Sequence, residues 1–369
     1  MQKHLALFCI AFATAGTCRA DLNEGLAAYR AGDYPKALSE LQPLAAQGDP
    51  TAEKKLAEMY AIGRGVKEDD AQAIAWWAKA ADQGDPGAQW ELGNEYIAGT
   101  RIKRDYGQAL RWFRKGAEQG YARAQMNLAN MLSGLYPPVA ADRVEAAHWL
   151  RLAADQNEMG AASLLGDRYA AGVGVPQNDT QAVYWWRKAA ETGKFEYRAE
   201  ANLAESYELG RGIEQDYSRA LYWYRKAEFM EPKAKLGLAR MYDRGLGAEK
   251  DSARAFAIYS DLAKKGWSEA QRHLAGMYER GEGAPQDLVI ACAWYDVLST
   301  PRPSTGSLQD FIDQSLPPDV VEKINKAFAD DERDNKDSVR RVAARLTREQ
   351  VEKALELAKA WKPGQLIAD

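Results

Sequence analysis

The chain has 369 residues, a formal net charge of -4 and 46% hydrophobic residues, a balance too polar for a membrane protein and too apolar for a disordered one. With only 3 His and 3 Cys, little is on hand for a metal centre or for Ser-His or Cys-His catalysis. Trp (11), Tyr (18) and Gly (30) are spread evenly along the chain, which asks for a repeat search before any division into domains.

Residues 1–20 read as a cleavable export signal. Met1-Gln2-Lys3-His4 is a short basic start, Leu5 to Ala15 is an apolar run too short to anchor, and Cys18 and Ala20 are small residues at the cleavage-critical positions. The mature chain then begins near Asp21 and is expected in the periplasm. A lipid anchor on Cys18 is the minor alternative; Thr17 before the cysteine and the absence of Leu three places earlier disfavour it. Loss of Lys3 and Arg19 leaves 47 basic against 53 acidic side chains, a surface ill suited to nucleic acid. Cys292 is then the one remaining cysteine, so no internal disulfide is expected. No second apolar stretch approaches membrane-spanning length.

Residues 21–48 read as a degenerate helix pair, with Ala28, Tyr29, Gly32-Asp33-Tyr34 and Ala37, serving as an N-terminal cap. From residue 49 to 300 one unit is written seven times. Ala-x-x-x-Leu-x-x-x-Tyr recurs at Ala52, Ala88, Ala161, Ala199, Ala234 and Ala270, and Ala124-Leu128-Leu132 completes the series. Steps of four keep to one helical face, so this is the buried stripe of a first helix. A second helix follows with Ala-x-x-Trp at Ala73, Ala109, Ala146, Ala182, Ala220 and Ala291, and Ala255-Ile258 in the exception. The Trp76, Trp112, Trp149, Trp185 and Trp223 spacing of 36 to 38 residues indicates stacked helix pairs.

Between the helices, Gly-x-Gly at Gly63, Gly172, Gly210, Gly245 and Gly281 ends the first helix in a conformation glycine adopts without steric cost. Asp69, Asp105, Asp142, Asn178, Asp216, Asp251 and Asp287 stand where they can cap the second helix. These carboxylates therefore need no catalytic explanation. A phosphate-cradling role for the glycines fails because no Gly-Lys-Ser/Thr follows.

The unit from Ala52 to Gly84, with Tyr-x-x-Gly-x-Gly-Val, Ala-x-x-Trp-Trp and Lys-Ala-Ala-Asp-Gln-Gly, resembles the Sel1-like repeat, a relative of the tetratricopeptide repeat. The resemblance implies an all-α fold, a right-handed α-solenoid of stacked antiparallel helix pairs. Residues 301–369 read as a linker at Pro301 to Gly306, a short helix starting at Pro317-Pro318-Asp319, a solvated charge cluster from Asp330 to Asp337, and a capping helix. That last helix opens with the Thr347-x-x-Gln350 capping box and carries Ala354, Leu355, Leu357, Ala358 and Trp361.

Function is expected on what the repeats leave free. Counting from the leading Ala of each first helix, offsets 2, 6 and 9 lie opposite the buried stripe and should line a groove. Offset 2 reads Lys54, Trp90, Met126, Ser163, Ala201, Leu236 and Arg272; offset 6 reads Glu58, Asn94, Asn130, Asp167, Glu205, Arg240 and Gly276. Trp90 and Met126, with Ile97 at offset 9, form an expected apolar patch beside Asn94 and Asn130. The alternative is that Trp90 packs on a neighbouring unit. Tyr136 and Pro138 replace the two glycines in the third unit, and an irregular loop of this kind is a second candidate contact. His148 and His273 read as lone surface histidines and Cys292 as a small core residue.

The resemblance implies a non-catalytic protein-binding scaffold without cofactor, metal or small-molecule ligand. Among exported relatives it implies immunity proteins that neutralise type VI secretion phospholipase effectors, assembly factors for envelope or exopolysaccharide complexes, or regulators of envelope signalling. An envelope hydrolase is a further alternative; it would need a nucleophile with its base or two facing carboxylates, and no Ser-x-x-Lys appears.

Overall fold

The computed structural model describes residues 21–192, 196–299 and 318–367. The export signal and the expected linker at 301–306 lie outside the described residues. Contacts divide the chain into two compact units, with the boundary between Gln119 and Gly120.

The first unit contains α1 (Leu22–Ala31), α2 (Tyr34–Ala46), α3 (Pro50–Ile62), α4 (Asp70–Asp82), α5 (Pro86–Ala98) and α6 (Tyr106–Glu118). The second contains α7 (Ala122–Asn130), α8 (Arg143–Asp155), α9 (Ala161–Ala171), α10 (Asp179–Glu191), α11 (Tyr197–Leu209), α12 (Tyr217–Ala227), α13 (Pro232–Arg244), α14 (Ser252–Lys264), α15 (Ser268–Arg280) and α16 (Leu288–Ser299). It ends with α17 (Pro318–Ala343) and α18 (Arg348–Ala360). Within each unit, helices consecutive in sequence pack on one another as far as α16, on which both α17 and α18 pack, and no strand occurs among the described residues. The architecture is an all-α solenoid.

The stripe read from the sequence is the core. Leu56, Leu92, Leu128, Leu165, Leu203, Leu238 and Leu274 are all buried, as are the alanines four residues before them. Each is a side chain of fixed size at a repeated packing position, and its burial is worth roughly 1.5–3 kcal/mol. In the first unit, α1 and α2 join this core through Leu41, which packs with Leu56 and Met59.

All seven cap residues work as expected. Asp69 Oδ1 accepts from Gln72 N at 2.9 Å, and Asp105, Asp142, Asn178, Asp216 and Asp251 repeat this bond. Asp287 accepts from both Val289 N and Ile290 N. Each cap also donates its own backbone N–H to the residue closing the first-helix stripe, as from Asp216 to Tyr207 O at 2.9 Å. One residue thus ties the end of one helix, through its backbone, to the start of the next, through its side chain.

The second glycine of each joint has a reason beyond its positive φ. A Cβ at Gly212 would stand 2.4 Å from the Asp179 carbonyl oxygen, and one at Gly283 would stand 2.3 Å from that of Ser252. The joint of each Gly-x-Gly repeat therefore rests directly on the backbone opening the preceding second helix. No side chain fits between them.

The C-terminal region departs from expectation. Helix α17 is 26 residues long, not short, and the charge run from Asp330 to Asp337 lies within it. Asn335 is buried, and Arg272 reaches Asp331 at 3.1 Å, so one face of the run is packed and the cluster is not wholly solvated. Helix α18 has the predicted capping box. Trp361 meets Trp294 edge to face at 5.7 Å, which covers the last repeat with apolar surface.

Candidate protein-binding face

Successive first helices of the second unit carry a chain of polar side chains. Asp167 Oδ1 accepts from Trp186 Nε1 at 3.0 Å and from Asn202 Nδ2 at 2.9 Å, and Arg198 pairs with its other oxygen at 2.9 Å. Lys233 Nζ then bridges Asn202 Oδ1 (2.9 Å) and Glu205 Oε2 (2.8 Å). Further along, Arg240 forks onto Glu208 at 3.1 and 2.8 Å and reaches Glu269 at 2.9 Å. Tyr224 donates its hydroxyl to the same Glu208 at 2.6 Å. Helices α9, α11, α13 and α15 are thereby locked together by side chains in nearby registers of successive repeats.

The burial of this rail shifts its titrations. Desolvation raises Asp167 above the ordinary Asp value, with Arg198 and the Trp186 N–H pulling the other way. Burial works against charge on Arg240, yet the Glu208 hydrogen bond holds its guanidinium above the usual Arg range. Burial and the Glu208 carboxylate push Tyr224 up, which keeps it a neutral donor. Arg240 and Glu208 form a charge-assisted fork in a site of low dielectric.

The predicted contact residues fall into two groups. Trp90, Asn94 and Ile97 lie in the first unit on α5, Met126 and Asn130 in the second on α7, and Tyr136 in the loop beyond it; all six are half-buried. Met126 reaches back to the next repeat, its Cε 3.3 Å from a Cβ placed on Gly160, so it packs on its neighbour.

The expectation that offsets 2 and 6 open to solvent is corrected. Ser163, Ala201 and Leu236 at offset 2 are buried, and Gly276 at offset 6 is buried as well. A helix in a stack has a neighbour on each flank, so the free strip is narrower than a helical wheel drawn for one helix suggests. His273 is likewise no surface histidine. It stacks on Tyr259 with ring centres 4.7 Å apart, while His148 is exposed and Cys292 fully buried.

Three features lie outside the predicted contact residues, although the sequence already showed Arg101 at a glycine position and Glu208 at offset 9. The offset-1 side chains Glu53, Gln89, Gln125, Glu200 and Gln271 are buried and bond second helices: Glu53, Gln125 and Glu200 meet Gln83, Gln156 and Lys226 of their own repeats. Gln89 donates to Ala81 O and Gln271 to Ala263 O, each at 3.1 Å. Arg101, at the second glycine position of its repeat, binds Asp70 (2.9 Å), Glu95 (2.8 Å) and Ala61 O (3.0 Å). Glu208 stands at offset 9, three positions beyond the offset at which Arg240 stands in the next unit. Its signal was an acid and a base in neighbouring registers.

Among the described residues, no group of three or more His, Cys, Asp or Glu is placed to hold a metal ion. A cleft of about 110 Å3 is lined by Ala170, Trp186, Glu205, Ser206, Leu209 and Arg211, below the roughly 300 Å3 usual for small-molecule sites. No described helix is long and apolar enough to cross a membrane.

Fold and rail define a scaffold of stacked helix pairs. The Sel1 repeat model matches at residues 50–85, 86–121, 122–158, 160–194, 198–228, 232–267 and 268–296, and the chain belongs to the Sel1-repeat family. Among solved structures it is similar to c5321, a protective antigen of uropathogenic Escherichia coli with this fold. That match has 30% identity and a TM-score of 0.67, over 91% of this chain and 67% of that one. A Sel1 repeat protein from Oxalobacter formigenes is also 30% identical, with a TM-score of 0.54 over 75% of this chain and 84% of that one. The immunity protein Pa5087 from Pseudomonas aeruginosa matches at 19% identity and a TM-score of 0.33, over 57% and 80%, too slight a likeness to bear on function. None of the curated proteins is significantly similar in sequence to the chain.

Proposed function

We propose that this chain is a non-catalytic scaffold of the periplasm that binds a protein partner on the face formed by its first helices. The observation that carries the reading is the rail from Asp167 to Glu269. Its charged side chains are fixed by one another before any partner arrives, which lowers the ordering cost of association. Glu205, Lys233 and Glu269 remain partly exposed and keep unspent hydrogen-bonding capacity. Trp90, Asn94 and Ile97 on α5, and Met126, Asn130 and Tyr136 in the second unit, are the proposed accompanying contacts. Export rests on the sequence pattern of residues 1–20.

The finer form of the proposal is an immunity protein whose partner is a secreted phospholipase effector; it rests on the family resemblance. An assembly or regulatory adaptor for an envelope or exopolysaccharide complex is the alternative occupant.

Affinity purification from envelope extract, with wild type beside Trp90→Ala and Lys233→Glu, tests the scaffold. The expected result is a partner retained by wild type and lost by the variants at unchanged melting temperature. Equal retention by the Lys233 variant would remove the rail as the binding face, and equal retention by the Trp90 variant would remove the contacts on α5. Hydrolysis of an envelope substrate that survives both variants and dies on changing one carboxylate would replace the scaffold with an enzyme.

A further inference from the structure

The second helices of three consecutive repeats share a pattern that packing does not use up. His148-x-x-Arg151 on α8, Tyr184-x-x-Arg187 on α10 and Tyr222-x-x-Arg225 on α12 stand in the same register. The other repeats carry Ala75, Arg111, Ala257 and Ala293 at the aromatic position. Tyr184 and Tyr222 are 54% and 60% exposed, each set edge-on against its neighbouring tryptophan at 5.0 Å. His148 meets Trp149 in the same way at 5.4 Å. The three helices are neighbours: Lys188 on α10 pairs with Asp155 at the end of α8, and Lys226 on α12 donates to Ala190 O on α10 at 3.2 Å.

Each arginine is held by a phenol, and none is paired with a carboxylate among the described residues. Arg151 donates to the Tyr169 hydroxyl, Arg187 to Tyr207 at 3.4 Å and Arg225 to Tyr242 at 3.1 Å. A phenol orients the guanidinium without neutralising it, and a guanidinium has five N–H donors in a planar fork. Phe229, 85% exposed, and Met230, 58% exposed, stand just beyond the end of α12 at Ala227. Exposed aromatic, Met and Arg side chains are the composition of interface anchors.

We propose that this outward face of α8, α10 and α12 is a second docking surface, and that its occupant is an acidic segment of a protein partner with interspersed apolar side chains. Charge complementarity decides the chemistry. Three oriented guanidinium groups within an acidic chain match carboxylates bidentately, and the tyrosines supply flat apolar contact between them. A phosphate polymer fits less well: it carries dense charge without apolar side chains between, so the net negative chain repels it more than a short segment whose carboxylates alternate with apolar groups.

A synthetic peptide alternating Glu with Leu is the probe, beside its Gln-for-Glu counterpart, phosphatidylglycerol vesicles and a single-stranded DNA oligonucleotide, all read by fluorescence anisotropy or co-sedimentation. The proposal expects the Glu peptide to bind and its Gln counterpart to fail. Tyr184→Ala with Tyr222→Ala should weaken the Glu peptide by at least about tenfold, as loss of interface anchors does, with melting temperature unchanged. Arg187→Lys with Arg225→Lys, which keeps charge but removes the fork, should also weaken it. Equal binding of both peptides, tighter binding to vesicles or DNA, or unchanged affinity in the tyrosine variant would overturn the proposal.

Discussion

A Cβ placed on Gly174 would stand 1.9 Å from the carbonyl oxygen of Arg143, the residue that opens the second helix of the preceding repeat. Backbone rests on backbone at this joint, and the same approach recurs at Gly212, Gly247 and Gly283. Gly174→Ala must therefore push neighbouring repeats apart as well as hold alanine at a φ of +74°. We expect it to cost about 3 kcal/mol or more. Gly84→Ala meets nothing within 4 Å at its φ of +95° and should cost about 1 kcal/mol. Chemical denaturation of the two variants checks the ordering.

Arg101 and Glu95 stand where three of the other repeats pair a glycine with a methionine. Of the five repeats with glycine at the second joint position, three carry a fully buried methionine where α5 has Glu95, at Met59, Met241 and Met277, and the other two carry Arg168 and Ser206. Arg101→Gly alone would strand the buried Glu95 carboxylate and should cost about 2 kcal/mol. Adding Glu95→Met should return most of that loss, since the double variant has the glycine and methionine of the Met59, Met241 and Met277 repeats. A double-mutant cycle that shows simple additivity would contradict this coupling.

Two cations on the same rail should differ in weight. Arg240→Ala leaves Glu208 buried with only the Tyr224 hydroxyl, for an expected loss of about 3 kcal/mol. Lys233 is 40% exposed in its side chain, and Lys233→Ala should cost under about 1 kcal/mol. Thermal or urea unfolding separates these values readily.

His273 should make stability fall on mild acidification. Burial lowers its folded value below the ordinary histidine value of 6.5, and the facing groups Glu269, Arg240, Asp243 and Arg244 oppose one another without reversing that. The folded state thus binds this proton less readily than the unfolded chain, so protonation favours unfolding. The contribution is intact above pH 6.5 and is lost as pH falls below it toward the folded value. His273→Gln should flatten the stability curve over that range, with a displaced imidazole titration by NMR as the direct check.

The repeat framework was open to reading because its elements are local. The Ala-Leu-Tyr stripes, the seven caps and the Thr347–Gln350 capping box depend on residues within one turn or joint, and each stands where the periodicity puts it. What the sequence hid depends on how one repeat sits against the next. Ala201 and Leu236 face outward on a wheel drawn for one helix, yet the adjacent first helix covers them. The Glu208–Arg240 fork spans 32 positions and the Asp70–Arg101 bridge spans 31, in registers that no local pattern links. His273 next to Leu274 looks like the rim of the stripe until Tyr259 is placed beneath it. Of the site, offset 6 contained Asp167, Glu205 and Arg240, but not their partners Asn202, Lys233 and Glu208.

The most direct test of the scaffold is site-specific photo-crosslinking in intact cells, with a photoreactive residue in place of Glu205, Glu269 or, as control, the exposed Glu249. A protein partner on the first-helix face predicts one adduct of the same mass from positions 205 and 269 and none from 249. No adduct from either rail position, or the same adduct from all three, would contradict a scaffold that binds through this face.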